Sequence, residues 1–171
     1  MNLPTARLTR CAILTALALA LSVAEGLVPL TILIPLPGLR LGLSNLVTLY
    51  ALCRLSGREA AAILAARCLL GSLVGGNLMA LAFSLTGGFL ALGVMAALIR
   101  LPCFSLYGVS MAGAAAHNTG QILAAMAVLG SRAPLVYLPP LLLCSLVTGG
   151  VTGGVALLLV QRVPPLRGTL R

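Results

Sequence analysis

Residues 103–130 read CFSLYGVSMAGAAAHNTGQILAAMAVLG. A hydrophobic run of this length spans a bilayer, whose hydrocarbon core takes ~20 apolar residues as helix. At its middle stand His117, Asn118 and Gln121. An imidazole and two amides at that depth cost free energy unless they find partners. Helical spacing puts His117 and Gln121 four residues apart on one face, with Asn118 three from Gln121. The spacing predicts one polar patch near the bilayer midplane, serving either as a binding site or as an interhelical hydrogen-bond cluster.

The rest of the chain is equally apolar. Of 171 residues, 60% are hydrophobic and 8% charged, and the mean hydropathy is +1.15. Soluble domains are nearer half apolar and a quarter charged. The composition therefore predicts an all-α integral membrane protein, one helical domain over residues 1–171, and leaves no room for a separate soluble domain. The net charge of +9 comes from eleven arginines and no lysine, against two acidic residues. Those arginines lie between apolar runs and form no patch, so the charge points to membrane topology and not to nucleic acid. Five cysteines occur singly, with no metal-ligand spacing. Neither a metal, a cofactor nor a catalytic constellation is expected. Arg7 and Arg10, an apolar core and Ser22-Val23-Ala24 imitate a signal peptide. The apolar run continues to Pro35, so the segment is expected to stay as the first span.

Hydropathy divides the chain into six spans, at about 11–34, 43–53, 60–83, 89–99, 103–130 and 134–161. The second and fourth are short for a crossing. Pro35-Leu36-Pro37-Gly38 and Leu85-Thr86-Gly87-Gly88 are expected to be turns, and Pro139-Pro140 to kink the last span. With both termini in the cytoplasm, Arg7, Arg10, Arg54, Arg58, Arg100, Arg162, Arg167 and Arg171 fall inside, and Arg40 and Arg132 outside. That is the positive-inside pattern of a multi-pass plasma-membrane protein. Small residues recur every fourth position at Ala12, Ala16 and Ala20, at Gly71 and Gly75, and in two registers at Gly149/Gly153 and Gly150/Gly154. Such faces let helix backbones approach closely. The doubled glycine pattern predicts close packing of the last span.

Glu25 lies deep in the first span, where a carboxylate must be protonated, paired or wet. It reads either as a ligand contact or as the partner of Arg67 or Arg40. Arg67, two turns into the third span, either snorkels or pairs, or anchors an anionic solute. Arg40, Ser44 and Asn45 follow the Pro-Gly break at the outer mouth. A broken stretch entering a short helix exposes N–H groups that can hold an anion, or simply caps the helix. Asn77 lies near the outer end of the third span, lining a cavity or sitting at the interface.

Three segments together resemble a known family. Pro37-Gly38-Leu39-Arg40-Leu41-Gly42-Leu43-Ser44-Asn45-Leu46-Val47-Thr48-Leu49 resembles its PGxKLGLAN-(I/V)-VTL signature. Ser110, Gly113, His117, Asn118, Gly120 and Gln121 resemble its S-x-x-G-x-x-x-H-N-x-G-Q signature, and Tyr137-Leu138-Pro139 its YLP motif. The family is that of the Gx transporters, also named component I of heptaprenyl diphosphate synthase. It is similar to the substrate-binding S components of energy-coupling factor (ECF) transporters. The resemblance covers nearly the whole chain, with Arg40 where lysine is usual. It implies an S-component-like bundle of about six helices that binds a small molecule from outside. It also implies that Ala12, Ala16 and Ala20 form the face that docks on an ECF coupling subunit, with separate ATPases supplying energy.

The first expectation is thus the substrate-binding component of an ECF-type importer, for a small anionic or isoprenoid-related solute. Arg40, Asn45, His117, Asn118 and Gln121 would contact the solute, with Glu25 and Arg67 secondary. The alternative is a non-catalytic membrane partner of the catalytic subunit of a polyprenyl diphosphate synthase. Prenyl transfer relies on carboxylates that hold Mg²⁺ against diphosphate. Glu25 and Glu59 are the only acidic residues and lie far apart, so a self-sufficient prenyltransferase is not expected.

Overall fold

The computed structural model describes residues 3–26, 42–75 and 78–163. Within them the chain forms six α-helices and no strand. They are α1 (Leu3–Gly26), α2 (Asn45–Arg54), α3 (Gly57–Gly75), α4 (Leu78–Leu98), α5 (Leu106–Leu129) and α6 (Leu138–Arg162). A 3-10 helix, Ala133–Tyr137, leads into α6. Arg40 and Asn77 lie outside the described residues.

Local chemistry sets most of the helix ends. Ser56 and Glu59 open α3 as a reciprocal cap: the Ser56 hydroxyl donates to Glu59 Oε2 at 2.8 Å and accepts from Glu59 N at 3.3 Å. The Ser105 hydroxyl accepts from Gly108 N at the start of α5, and Gly130 (φ +58°) closes that helix in the left-handed region. Pro139 and Pro140 sit in the first turn of α6, where a missing N–H breaks no hydrogen bond. The expected kink is therefore a helix start. The expected turn at Leu85-Thr86-Gly87-Gly88 is also absent. Those residues are the middle of α4, a full 21-residue helix, and α3 ends earlier, at Gly75. A glycine pair breaks a helix in water more readily than in an apolar segment, where backbone groups have no other partners.

Beside an apolar core, the bundle buries polar groups and turns large apolar side chains outward. Glu25, Asn45, Arg67, His117, Asn118 and Gln121 are all buried, while Leu73, Leu143, Val136 and Val147 are exposed. Helices α1, α4 and the 3-10 segment with α6 are long and apolar enough to cross a membrane by length and composition. Helix α5 packs between α4 and α6, α1 lies on α3, and α3 on α4. The short α2 touches all five other helices. Its 10 residues rise only about 15 Å, so α2 is an interior element and not a crossing in its own right.

Glycines set the closest approaches. A Cβ on Gly149 would lie 2.5 Å from Met111 Cα, and one on Gly153 3.0 Å from Tyr107 Cα. The α5–α6 seam is stitched there by the Ser110 and Thr152 hydroxyls, 2.9 Å apart. The close packing expected of the doubled glycine pattern is present. Gly71 rests against Leu19 of α1, whereas Gly75 meets nothing. One end of the bundle gathers the arginines. Arg7 Nε lies 4.0 Å from Glu59, and Arg54 Nη2 donates to Val160 O and Val163 O at the end of α6. Leu52, Cys53, Leu98 and Ile99 share a cluster, which brings Arg100 to that same end.

Candidate functional site

The site is built where α2 begins. Gly42 adopts φ +85°, a conformation that side chains disfavour. From that turn Asn45 N donates to Gly42 O at 2.9 Å, and Leu46 N to Leu43 O at 3.0 Å, starting the helix. Ser44 holds the N-cap position but makes no side-chain cap bond. The Leu43 N–H is taken instead by Glu25 Oε1 of α1, at 2.6 Å. The Glu25 carboxyl therefore sits at the N-terminal end of α2.

Two side chains in this turn are left over. The Asn45 amide is 5% exposed and the Ser44 hydroxyl 1%. Neither amide atom of Asn45, nor Ser44 Oγ, has a hydrogen-bond partner among the described residues. A buried, unsatisfied polar group costs about 1–3 kcal/mol. Three such atoms in one turn form a standing deficit, which a bound molecule with donors and acceptors would remove.

The opposite wall comes from α5. His117 Cδ2 lies 3.0 Å from where a Gly42 Cβ would stand, and Asn45 Nδ2 2.9 Å from the same point. Imidazole, amide and glycine turn are therefore in contact range. Gln121 and His117 Nε2 are hydrogen-bonded at 2.5 Å, as the four-residue spacing predicts. Both side chains fit because Gly87 of α4 has none. A Cβ there would meet His117 O at 2.7 Å, His117 Nδ1 at 3.0 Å and Gln121 Cγ at 3.1 Å.

The remaining candidates separate from this cluster. Asn118 points to α6, where its Nδ2 donates to Leu141 O at 2.9 Å. The three polar residues of α5 thus divide into a pair facing α4 and the α2 turn, and one facing α6. A step of ~100° per residue is enough to turn Asn118 away from His117. Arg67 is buried one helix away, its Nη2 3.4 Å from a Gly88 Cβ position. It lines a crevice of ≈ 10 Å³ with Ser22, Ser72 and Ser84, room for about one water. Gly42 and Gly87 are the site residues that sequence reasoning missed. The signal for Gly87 was a Gly-Gly pair inside an apolar stretch with no proline.

A bundle of apolar helices with polar groups gathered inside defines a polytopic helical membrane protein. The family model described as heptaprenyl diphosphate synthase component I matches residues 14–159. The chain belongs to that family. Comparison with curated proteins and with solved structures returned no match.

Proposed function

We propose that this protein binds a small solute between Asn45, Ser44 and the His117–Gln121 pair, as the substrate-binding component of an ECF-type importer in the plasma membrane. The observation behind this reading is the Asn45 amide: buried, unpartnered, and beside His117. A purely structural cluster would satisfy its own groups, because burying them unpaired destabilises the fold. Glu25 already takes the Leu43 N–H in the turn that precedes α2. Recognition would then rest on the amide and imidazole, with Arg40 meeting any anionic portion and Arg67 outside the contact shell. Asn118 would position α6 and not touch the solute. Ala12, Ala16 and Ala20 are all exposed on α1, as a face for the coupling subunit would be.

The family description favours a second reading, in which the chain is a non-catalytic membrane subunit working with the catalytic subunit of a heptaprenyl diphosphate synthase. With two acidic residues in the whole sequence, this chain would contribute binding and membrane placement, not the Mg²⁺-dependent step. One experiment separates the readings. The protein is purified gently and examined by native mass spectrometry, beside an Asn45→Ala variant. A polar solute retained by the parent and lost from the variant supports import. A prenyl diphosphate retained instead, with a synthase chain co-purifying, supports the second reading. A parent that holds neither, under conditions preserving its fold, would sink the binding site itself.

A further inference from the structure

A slot of ≈ 180 Å³ lies between α1, α2 and α6, walled by Leu14, Leu17, Leu46, Tyr50, Leu159 and Val163. Asn45, His117 and Gln121 are not among its lining residues. Beside Val163, the carbonyls Val160 O and Val163 O accept from Arg54 Nη2. Arg54 is one helical turn beyond Tyr50, and Arg10 one turn beyond Leu14 in the same direction. Arg162 immediately precedes Val163. An apolar slot therefore ends among basic side chains. Among the described residues Arg54 faces no carboxylate; Arg7 pairs with Glu59 at that end.

We propose that this slot holds one hydrocarbon chain of an anionic phospholipid, with its phosphate at the Arg54 end. Leu17, 46% exposed, forms the outer lip, so the slot opens sideways to the bilayer. Burial of apolar area does not draw the chain in, because lipid tails are as apolar as leucine. The drive is packing: an empty slot leaves its lining without contacts on one side, and a chain restores them. Headgroup choice comes from charge. Basic pockets between membrane helices favour anionic headgroups, and a guanidinium matches phosphate oxygens in geometry. A neutral headgroup gains neither.

The test uses the full chain, delipidated in mild detergent, with native mass spectrometry as readout. Phosphatidylglycerol, phosphatidylcholine and farnesyl diphosphate are added separately. The expected result is one phosphatidylglycerol per chain, retained at collision energies that remove phosphatidylcholine. Leu17→Trp fills the slot from an exposed lip position and is expected to cut that retention at least tenfold while circular dichroism is unchanged. Arg54 also caps α6, so the charge is tested at Arg10→Gln/Arg162→Gln, which is expected to erase the preference between the two lipids. Equal retention of both lipids by the parent would overturn the proposal, as would retention indifferent to Leu17→Trp. Slot-dependent retention of farnesyl diphosphate without phosphatidylglycerol would overturn the choice of a phospholipid.

Discussion

At the scale of single residues, the buried amides among the described residues differ in how far they are satisfied. Gln121 is bonded to His117, Asn118 is bonded through Nδ2 but not Oδ1, and Asn45 through neither atom, so truncation should affect them differently. Gln121→Ala should therefore remove a hydrogen bond from a buried imidazole, lowering stability by about 1–3 kcal/mol, read as a fall in melting temperature in detergent. Asn118→Leu loses its bond to Leu141 O, a contact worth about 0.6 kcal/mol on average inside membranes. Asn45 has no partner to lose among the described residues. Asn45→Ala should hold or raise the melting temperature while solute affinity falls at least tenfold by calorimetric titration. A melting temperature that drops as far as for Gln121→Ala would show Asn45 to be structural. Gly42→Ala is the companion case. It would strain φ +85° and push a methyl to within 3.0 Å of both Asn45 Nδ2 and His117 Cδ2, costing about 1–3 kcal/mol. The His117–Gln121 pair was legible because a four-residue spacing has one meaning on a helix. The division of Asn118 from it was not, because which neighbour faces each side of α5 is a tertiary fact.

At the scale of helices, the glycines decide how near the backbones come, and sequence spacing reveals only some of them. Gly149 and Gly153 were readable from their repeat. Gly87 and Gly120 were not, since their meeting joins two helices: a Cβ on Gly120 would stand 2.7 Å from Gly87 Cα and 2.9 Å from Thr86 O. Read along the chain alone, Thr86-Gly87-Gly88 has the composition of a turn. Read across the bundle, it is the flat surface that admits α5. The contrast predicts graded costs. Gly120→Ala and Gly149→Ala press a methyl against backbone, which cannot swing aside, and should each destabilise by about 1–3 kcal/mol. Gly150→Ala meets only the flexible end of Met111, at 3.3 Å, and should cost little. Gly93 has nothing within 4 Å, and Gly93→Ala should stabilise α4 by about 0.5–1 kcal/mol. Thermal unfolding of the four variants in one detergent checks the order. Equal losses at Gly93 and Gly120 would show that packing is looser than these distances require.

At the scale of the whole molecule, the arginines distinguish the two ends, and this asymmetry does not depend on exact helix boundaries. The sequence places a break at residues 85–88, whereas α3 ends at Gly75 and α4 begins at Leu78; Arg54 and Arg58 still flank one connection and Arg100 the next on the same side, because this shift moves no arginine. The number of helices and the placement of the arginines between them were therefore legible even where boundaries were not. The folded chain adds physical continuity: Arg7 meets Glu59, and Arg54 reaches the carbonyls ending α6, so helix ends far apart in sequence share one basic rim. Arg132 stands at the other end, between α5 and the 3-10 helix. Basic residues are retained on the cytoplasmic side during insertion, from which we propose that the Arg7–Arg54–Arg100 rim faces the cytoplasm. Cys103, exposed just beyond Arg100, reports on that rim, and a cysteine placed at exposed Ala133 reports on the opposite one. In right-side-out vesicles, a variant keeping Cys103 as its sole cysteine should resist a membrane-impermeant maleimide until detergent is added. Ala133→Cys in a background free of other cysteines should label at once. The reverse pattern would invert the topology and place the Asn45–His117 cluster nearer the cytoplasmic mouth, where an importer would release its solute instead of capturing it.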